Sequence, residues 1–197
     1  MNAETEIEIV QLEEKYYDEV VDVINQGFGT KVCCFCLFST GTYGVREYAK
    51  LHKGNPLKRE IAFLAIDTSS KEVLGVMQLS KPGVPMFYNM HVCKPNEVYV
   101  DQLGVAAKAR GRGVGTKLLE KAEEFARSEP GIEILTLDVL RGNKAVSLYE
   151  RFGFEIISPK NACNSCAISC LVTFFFGRPF GWCHPEWGLH SMKKKLN

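Results

Sequence analysis

Arg110-Gly111-Arg112-Gly113-Val114-Gly115 is the stretch whose reading decides the fold. It follows a strand-like segment, Glu97 to Val105, and opens a helix-like one, Thr116 to Ala126. A glycine-rich turn at a helix N-terminus presents unpaired backbone N–H groups and the positive end of a helix dipole. Two arginines in the turn add charge. This chemistry suits a polyphosphate held without a metal. A nucleotide-binding P-loop would end in Gly-Lys-Ser/Thr, whereas Gly115-Thr116-Lys117 has the order reversed. A dinucleotide fingerprint needs a third glycine where Thr116 stands. Asp138 lies about where its ribose acid belongs, but the loop from Val105 to Gly111 is too long.

Working outward, Ile132 to Leu140 alternates as a strand, with Ile134, Thr136 and Asp138 on one face and Leu135, Leu137 and Val139 on the other. Asn143 then caps a helix carrying Ala145, Leu148, Tyr149 and Phe152 at helical spacing, and Gly153 ends it. Phe154 to Ile157 reads as a strand. Upstream, Glu13 to Asn25 and Tyr43 to His52 read as helices. Ile61 to Ile66 and Val73 to Leu79 read as a hairpin closed by Asp67 to Lys71. Pro82 to Pro95 reads as loop. Strand–helix–strand–helix–strand from 97 to 157 means an α/β core with locally parallel pairing.

The chain has 197 residues, enough for one domain, and is 46% hydrophobic and 24% charged. A net charge of +1 argues against a nucleic-acid partner. The acidic start, Met1 to Glu6, shows no signal peptide, and the longest apolar run, Cys166 to Phe176, falls short of the ~20 residues that span a bilayer. A cytosolic protein is expected, with no membrane contact. Its eight cysteines are then expected to be thiols.

Three stretches together resemble the GNAT superfamily of acyl-CoA-dependent N-acyltransferases. They are Tyr99-Val100-Asp101-Gln102-Leu103-Gly104-Val105, the Arg110–Gly115 turn, and Asn143 to Phe154, which is close to N-x-x-A-x-x-x-Y-x-x-x-G-F. The resemblance implies an α/β fold with a mixed, centrally splayed sheet flanked by helices, in one domain over 1–197. It implies acetyl-CoA as co-substrate and no metal. The diphosphate would rest on the turn from Arg110 and Gly111 through Arg112, Gly113, Val114 and Gly115 to Thr116. The pantetheine arm would pair with backbone groups of Leu103 and Val105, the Leu103 N–H would face the thioester carbonyl, and Asn143 would contact the cofactor.

By family position Tyr149 is the general acid for the leaving thiolate. On the residues alone it reads equally as a core tyrosine. Asp101 is the first choice of base, with Glu97 or His91 acting through water as second choices; Asp101 also reads as a plain strand residue. The implied reaction is transfer of an acetyl group to a primary amine by direct attack in a ternary complex. A non-catalytic acyl-CoA sensor and a zinc-stabilised interaction protein are the alternatives.

The residues at about 158–186 form a Cys- and aromatic-rich insertion, with Cys163, Cys166, Cys170, Cys183 and Phe174 to Phe176. A second such segment holds Cys33, Cys34 and Cys36. An apolar wall for a bulky acceptor or a homodimer surface is the first reading. A zinc site from Cys33-x-x-Cys36 and Cys163-x-x-Cys166, and a membrane-dipping segment helped by Lys193 to Lys195, are the others. Cys93 reads as a small core residue.

Overall fold

The computed structural model describes residues 6–28, 44–84, 91–140, 143–157 and 189–196. The segments 29–43 and 158–188 hold seven of the eight cysteines, so the insertion, the dimer surface and the zinc alternative lie outside the described residues.

Strand β1 (Ile7–Gln11) leads through a 3₁₀ turn into helix α1 (Tyr17–Phe28). Helices α2 (Val45–Lys53) and α3 (Pro56–Glu60) follow, then β2 (Ala62–Asp67), β3 (Val73–Ser80) and β4 (Glu97–Val105). The last part runs α4 (Val114–Ser128), β5 (Ile134–Leu140), α5 (Val146–Arg151), β6 (Glu155–Ile156) and β7 (Leu189–Lys195). One seven-stranded sheet has the order β1-β2-β3-β4-β5-β7-β6. Its first four strands are antiparallel neighbours, β4 and β5 are parallel, and β7 inserts antiparallel between β5 and β6. This is the mixed sheet with flanking helices that the family resemblance implies.

Strand β1 and helix α3 escape the sequence reading. Ile7, Ile9 and Val10 are only half-buried on an edge strand, so the alternation is weak there. Helix α3 is one short turn started by Pro56 at its first position.

The hairpin turn between β2 and β3 closes as its composition requires. Asp67 Oδ1 accepts from the backbone N–H groups of Ser69 at 2.9 Å and Ser70 at 3.2 Å. Helix α4 buries Val114, Leu118, Leu119, Ala122 and Ala126 on one face of the sheet. Each leucine removed from water there contributes about 2 kcal/mol. Helix α1 covers the other face with Val20, Val21, Val23 and Ile24.

Gly75 lets the layers close. A Cβ on Gly75 would lie 2.8 Å from Val114 Cγ1 and 3.0 Å from the Gly104 carbonyl oxygen, so only glycine lets α4 seat on β3. A Cβ on Gly104 would meet Val23 Cγ1 of α1 at 3.7 Å from the opposite side. Among the described residues no helix is long and apolar enough to cross a membrane.

Gly75→Ala is expected to destabilise the fold by about 1–3 kcal/mol, because the crowding atoms include backbone. Urea unfolding should show the midpoint fall with an unchanged slope.

Candidate active site

Strands β4 and β5 stay together for only four residue pairs. Glu97 to Val100 pair with Ile134 to Leu137, and there the pairing stops. β4 nevertheless continues to Val105 with its other edge bonded to β3, while β5 continues to Leu140 bonded to β7. A register shift sets the point of parting. Leu79 pairs with Val100 and Gln78 with Gln102, which leaves Asp101 as an extra, bulged residue. Bulges bend a strand and increase its twist. Past Val100, β4 therefore turns backbone groups of the 101–105 segment toward an open gap. The segment holds Leu103 and Val105, the residues expected to pair with an extended ligand.

The glycine turn sits at the start of α4. Gly111 has φ +79° and Gly113 φ +80°, left-handed values that favour glycine. No side chain caps this helix, and the first backbone bond into it runs from Lys117 N–H to the Gly113 carbonyl. The N–H groups ahead of Lys117 are those a helix start leaves for an anion. Nothing lies within 4 Å of a Cβ built on Gly113, whereas one on Gly115 would meet Leu148 Cδ2 at 2.9 Å. Gly115 thus packs α4 onto α5. The two arginines differ. Arg110 donates to the carbonyls of Val105 and Gln26, both at 3.3 Å, and so braces the loop against α1. Arg112 is exposed and makes no hydrogen bond or ion pair among the described residues.

Asn143 Oδ1 accepts from the Ala145 N–H at 2.9 Å, capping the turn that becomes α5. Gly153, with φ +95°, ends that helix, and Phe154 N–H returns to the Tyr149 carbonyl. Tyr149 is buried, its ring edge-on to Phe154 at 6.0 Å. Burial pushes its phenol up to about 12, so it keeps its proton at neutral pH. Its hydroxyl has no hydrogen-bond partner among the described residues.

At the base of the gap lies a polar cluster on the face covered by α1. His91 Nε2 donates to Glu97 Oε1 at 2.7 Å; the acceptor is an oxygen, so Nε2 carries the proton. Thr136 Oγ1 also donates to that oxygen, and the Lys94 N–H donates to Glu97 Oε2 at 2.9 Å. The His91 ring stacks on Tyr99 at 4.4 Å, and the Tyr99 hydroxyl donates to Asp138 Oδ2 at 3.1 Å. Burial, then the charges of Asp138 and Asp101, raise the Tyr99 pKa above its ordinary value. A cleft of about 180 Å³ opens over this cluster, lined by His91, Glu97, Tyr99, Thr136, Asp138 and Lys193 among others. Cys93, half-buried, has its thiol pushed up to about 11 by burial and by the carboxylates of Glu97 and Asp101.

Asp101 occupies a different setting from Glu97. Its Oδ2 lies 3.9 Å from Lys58 Nζ, and the two side chains are 4% and 3% exposed. Burial lowers the Lys58 pKa and the Asp101 charge opposes that shift. Far from facing solvent, Asp101 is half of an internal ion pair.

Of the residues singled out in the sequence, Leu103, Val105, Asp101 and Glu97 come together on β4. The Arg110–Thr116 turn opens α4, Asn143 stands ahead of α5 and Tyr149 is buried within α5, which meets the start of α4 where Leu148 faces Gly115. The sequence reading gives Tyr99, Thr136 and Lys58 no role in the site, and weighs Asp138 only as the ribose acid of a rejected dinucleotide motif. Tyr99 shares a β4 face with Glu97, and Thr136 and Asp138 share a β5 face in the alternation, so the strand period carried part of the signal. Nothing in the sequence marks Lys58. Among the described residues no group of three or more His, Cys, Asp or Glu is arranged to hold a metal.

Comparison with known proteins places this geometry. A family model described as the acetyltransferase (GNAT) family matches residues 25–154. The "Probable N-acetyltransferase san" of Drosophila melanogaster is 33% identical over 64 residues, covering 32% of this chain and 35% of that protein. The chain spans about a third of the length of the curated relatives it matches. The solved structure of yncA from Salmonella typhimurium with its cofactor acetyl-CoA superposes with a TM-score of 0.66 at 14% identity, covering 98% of this chain and 95% of that one. The NatC complex bound to Gag peptide and CoA contains a chain that superposes with a TM-score of 0.61 at 17% identity, covering 98% of this chain and 99% of that one. At such identities the structural likeness speaks for the fold alone.

Lys58→Met leaves Asp101 buried without its ammonium partner and is expected to cost about 3 kcal/mol of stability. Adding Asp101→Asn should restore part of the loss in the same thermal unfolding assay, because the uncompensated charge is gone.

Proposed function

The chain belongs to the acetyltransferase (GNAT) family, and from that premise we propose that it transfers an acetyl group from acetyl-CoA to a primary amine by direct attack in a ternary complex. The observation that carries the reading is the parting of β4 from β5 after Val100, with an uncapped glycine turn at one end and a carboxylate–imidazole pair at the other. In this reading the diphosphate rests on the N–H groups of the Arg110–Thr116 turn. Open space at Gly113 and the left-handed glycines allow that approach. Arg112 is the arginine free to add charge there. The 101–105 edge pairs with the pantetheine arm, and the Leu103 N–H faces the thioester carbonyl, where negative charge develops.

Two proton transfers complete the reaction. The amine must lose a proton to attack, and Glu97 with His91 is better placed to take it than Asp101. Glu97, itself buried, lines the cleft and is linked to the more open His91 imidazole, whereas Asp101 is compensated by the Lys58 ammonium. The nitrogen forms its bond to the acyl carbon, the carbon–sulfur bond breaks, and Tyr149 supplies a proton to the departing thiolate. Its high pKa holds that proton ready and allows its recovery from solvent. A non-catalytic acyl-CoA sensor would need the turn and nothing of the Glu97–His91 pair or Tyr149.

Tyr149→Phe and Glu97→Gln are each expected to lower kcat by about 10²-fold or more while acetyl-CoA affinity stays within a few-fold. CoA thiol release with an amine panel measures the first and calorimetry the second. Unchanged turnover in either variant removes that residue from the mechanism.

Gly113→Glu places a side chain and a negative charge in the diphosphate seat and is expected to abolish acetyl-CoA binding by calorimetry. Normal binding by that variant would overturn the phosphate assignment.

A further inference from the structure

Helix α2 has two unlike faces. Val45, Tyr48 and His52, at i, i+3 and i+7, turn inward, with Tyr48 and His52 fully buried. Arg46, Ala49, Lys50 and Lys53, at i, i+3, i+4 and i+7, share the outer side and line an open groove of about 470 Å³ with Gly54. The three cations are exposed, and none of them makes an ion pair among the described residues. The helix's one carboxylate, Glu47, folds back against Gly44 at the helix start, away from the groove. Elsewhere long cations commonly meet a carboxylate, as Lys81 does on Glu129, Lys121 on Glu124 and Arg127 on Glu123. In a chain of net charge +1, the groove is a local concentration of positive charge.

A buried polar chain ties this helix to the site. His52 Nε2 lies 3.1 Å from Gln78 Oε1, Gln78 Nε2 donates to the Lys58 carbonyl at 2.9 Å, and the Lys58 ammonium faces Asp101. The groove is thereby held on the same sheet face as the Glu97–Asp138 cluster. That face is polarised, with carboxylates where an ammonium would arrive and cations over the neighbouring helix.

We propose that the groove on α2 docks an acidic peptide segment that follows the acceptor amine in the substrate chain. This deepens the acyl-transfer reading and rests on it. Charge complementarity selects an anionic occupant. The groove lining has no aromatic ring on which a base could stack, and the chain lacks the basic excess of a nucleic-acid binder, so a peptide fits better than RNA. The apolar stems of the lysines and Ala49 floor the groove and accommodate a peptide backbone, while the ammonium heads reach carboxylates.

The test uses two decapeptides with free amino termini, identical except that a run of residues after the third is glutamate in one and glutamine in the other. Anisotropy of labelled peptides reads binding, and thiol release reads transfer. The glutamate peptide is expected to show a Kd and KM about tenfold lower at equal kcat, as three exposed charge contacts would supply. The preference should shrink as salt rises from ~50 to ~500 mM. Lys50→Glu/Lys53→Glu should erase the preference and improve binding of a lysine-substituted peptide, with acetyl-CoA affinity and turnover of the glutamine peptide unchanged. Lys50→Gln/Lys53→Gln should fall between. Equal KM for both peptides, a preference unmoved by the charge-reversed variant, or oligouridylate displacing the glutamate peptide more tightly than the peptide binds would each overturn the docking site. Tight, salt-sensitive binding of the glutamate peptide without transfer would uphold the docking site and instead overturn the acyl-transfer reading.

Discussion

The rest of the structure depends on two neighbouring strands being unable to remain bonded. β5 is bonded along its whole length to β7, and β4 from Tyr99 onward to β3. One extra residue, Asp101, turns β4 away from its parallel partner after four pairs. Backbone N–H and C=O groups that a closed sheet would have satisfied internally are left facing a gap. Unpaired backbone inside a protein is costly, so an extended, amide-bearing ligand that completed the ladder would satisfy the opening, as the proposed reading requires.

The surrounding polar groups follow from the same constraint. Side chains of β4 and β5 on the α1 side cannot all be apolar, because the gap admits solvent and ligand. Glu97, Tyr99, Thr136 and Asp138 fill that face and hold one another by hydrogen bonds. The opposite face of the same strands presents Val98, Val100, Leu135 and Leu137, all buried. One strand thus serves a dry core on one side and a polar cleft on the other, through nothing more than its two-residue period.

Much of this was legible in the residues. The Glu97–Val105 strand, the helix opening at the glycine turn, the Asn143 cap and the Gly153 stop each carry a local chemical signature, and each appears where its residues placed it. Strand β1 was not legible because its apolar side is only half-buried, and α3 because one turn has no period. The pairing of Lys58 with Asp101 joins positions far apart in the chain, and no spacing rule reports such a contact. Asp101 was noticed for its place on β4, yet its neighbour gives it a role closer to an internal counter-ion. Glu97 and His91 stood second in the sequence reading for want of the fold that puts them 2.7 Å apart.

The contact of Gly115 with Leu148 has a bearing on how such a protein changes over time. It makes the start of α4, where the diphosphate is proposed to rest, and α5, which carries Tyr149, parts of one mechanical joint between two helices. A mutation that thickens the first helix at that point also displaces the second, so the grip and the proton delivery proposed for them would be inherited together. Divergence of the acceptor preference has to happen elsewhere, in segments free of that joint, while the hinge-pin glycine stays fixed.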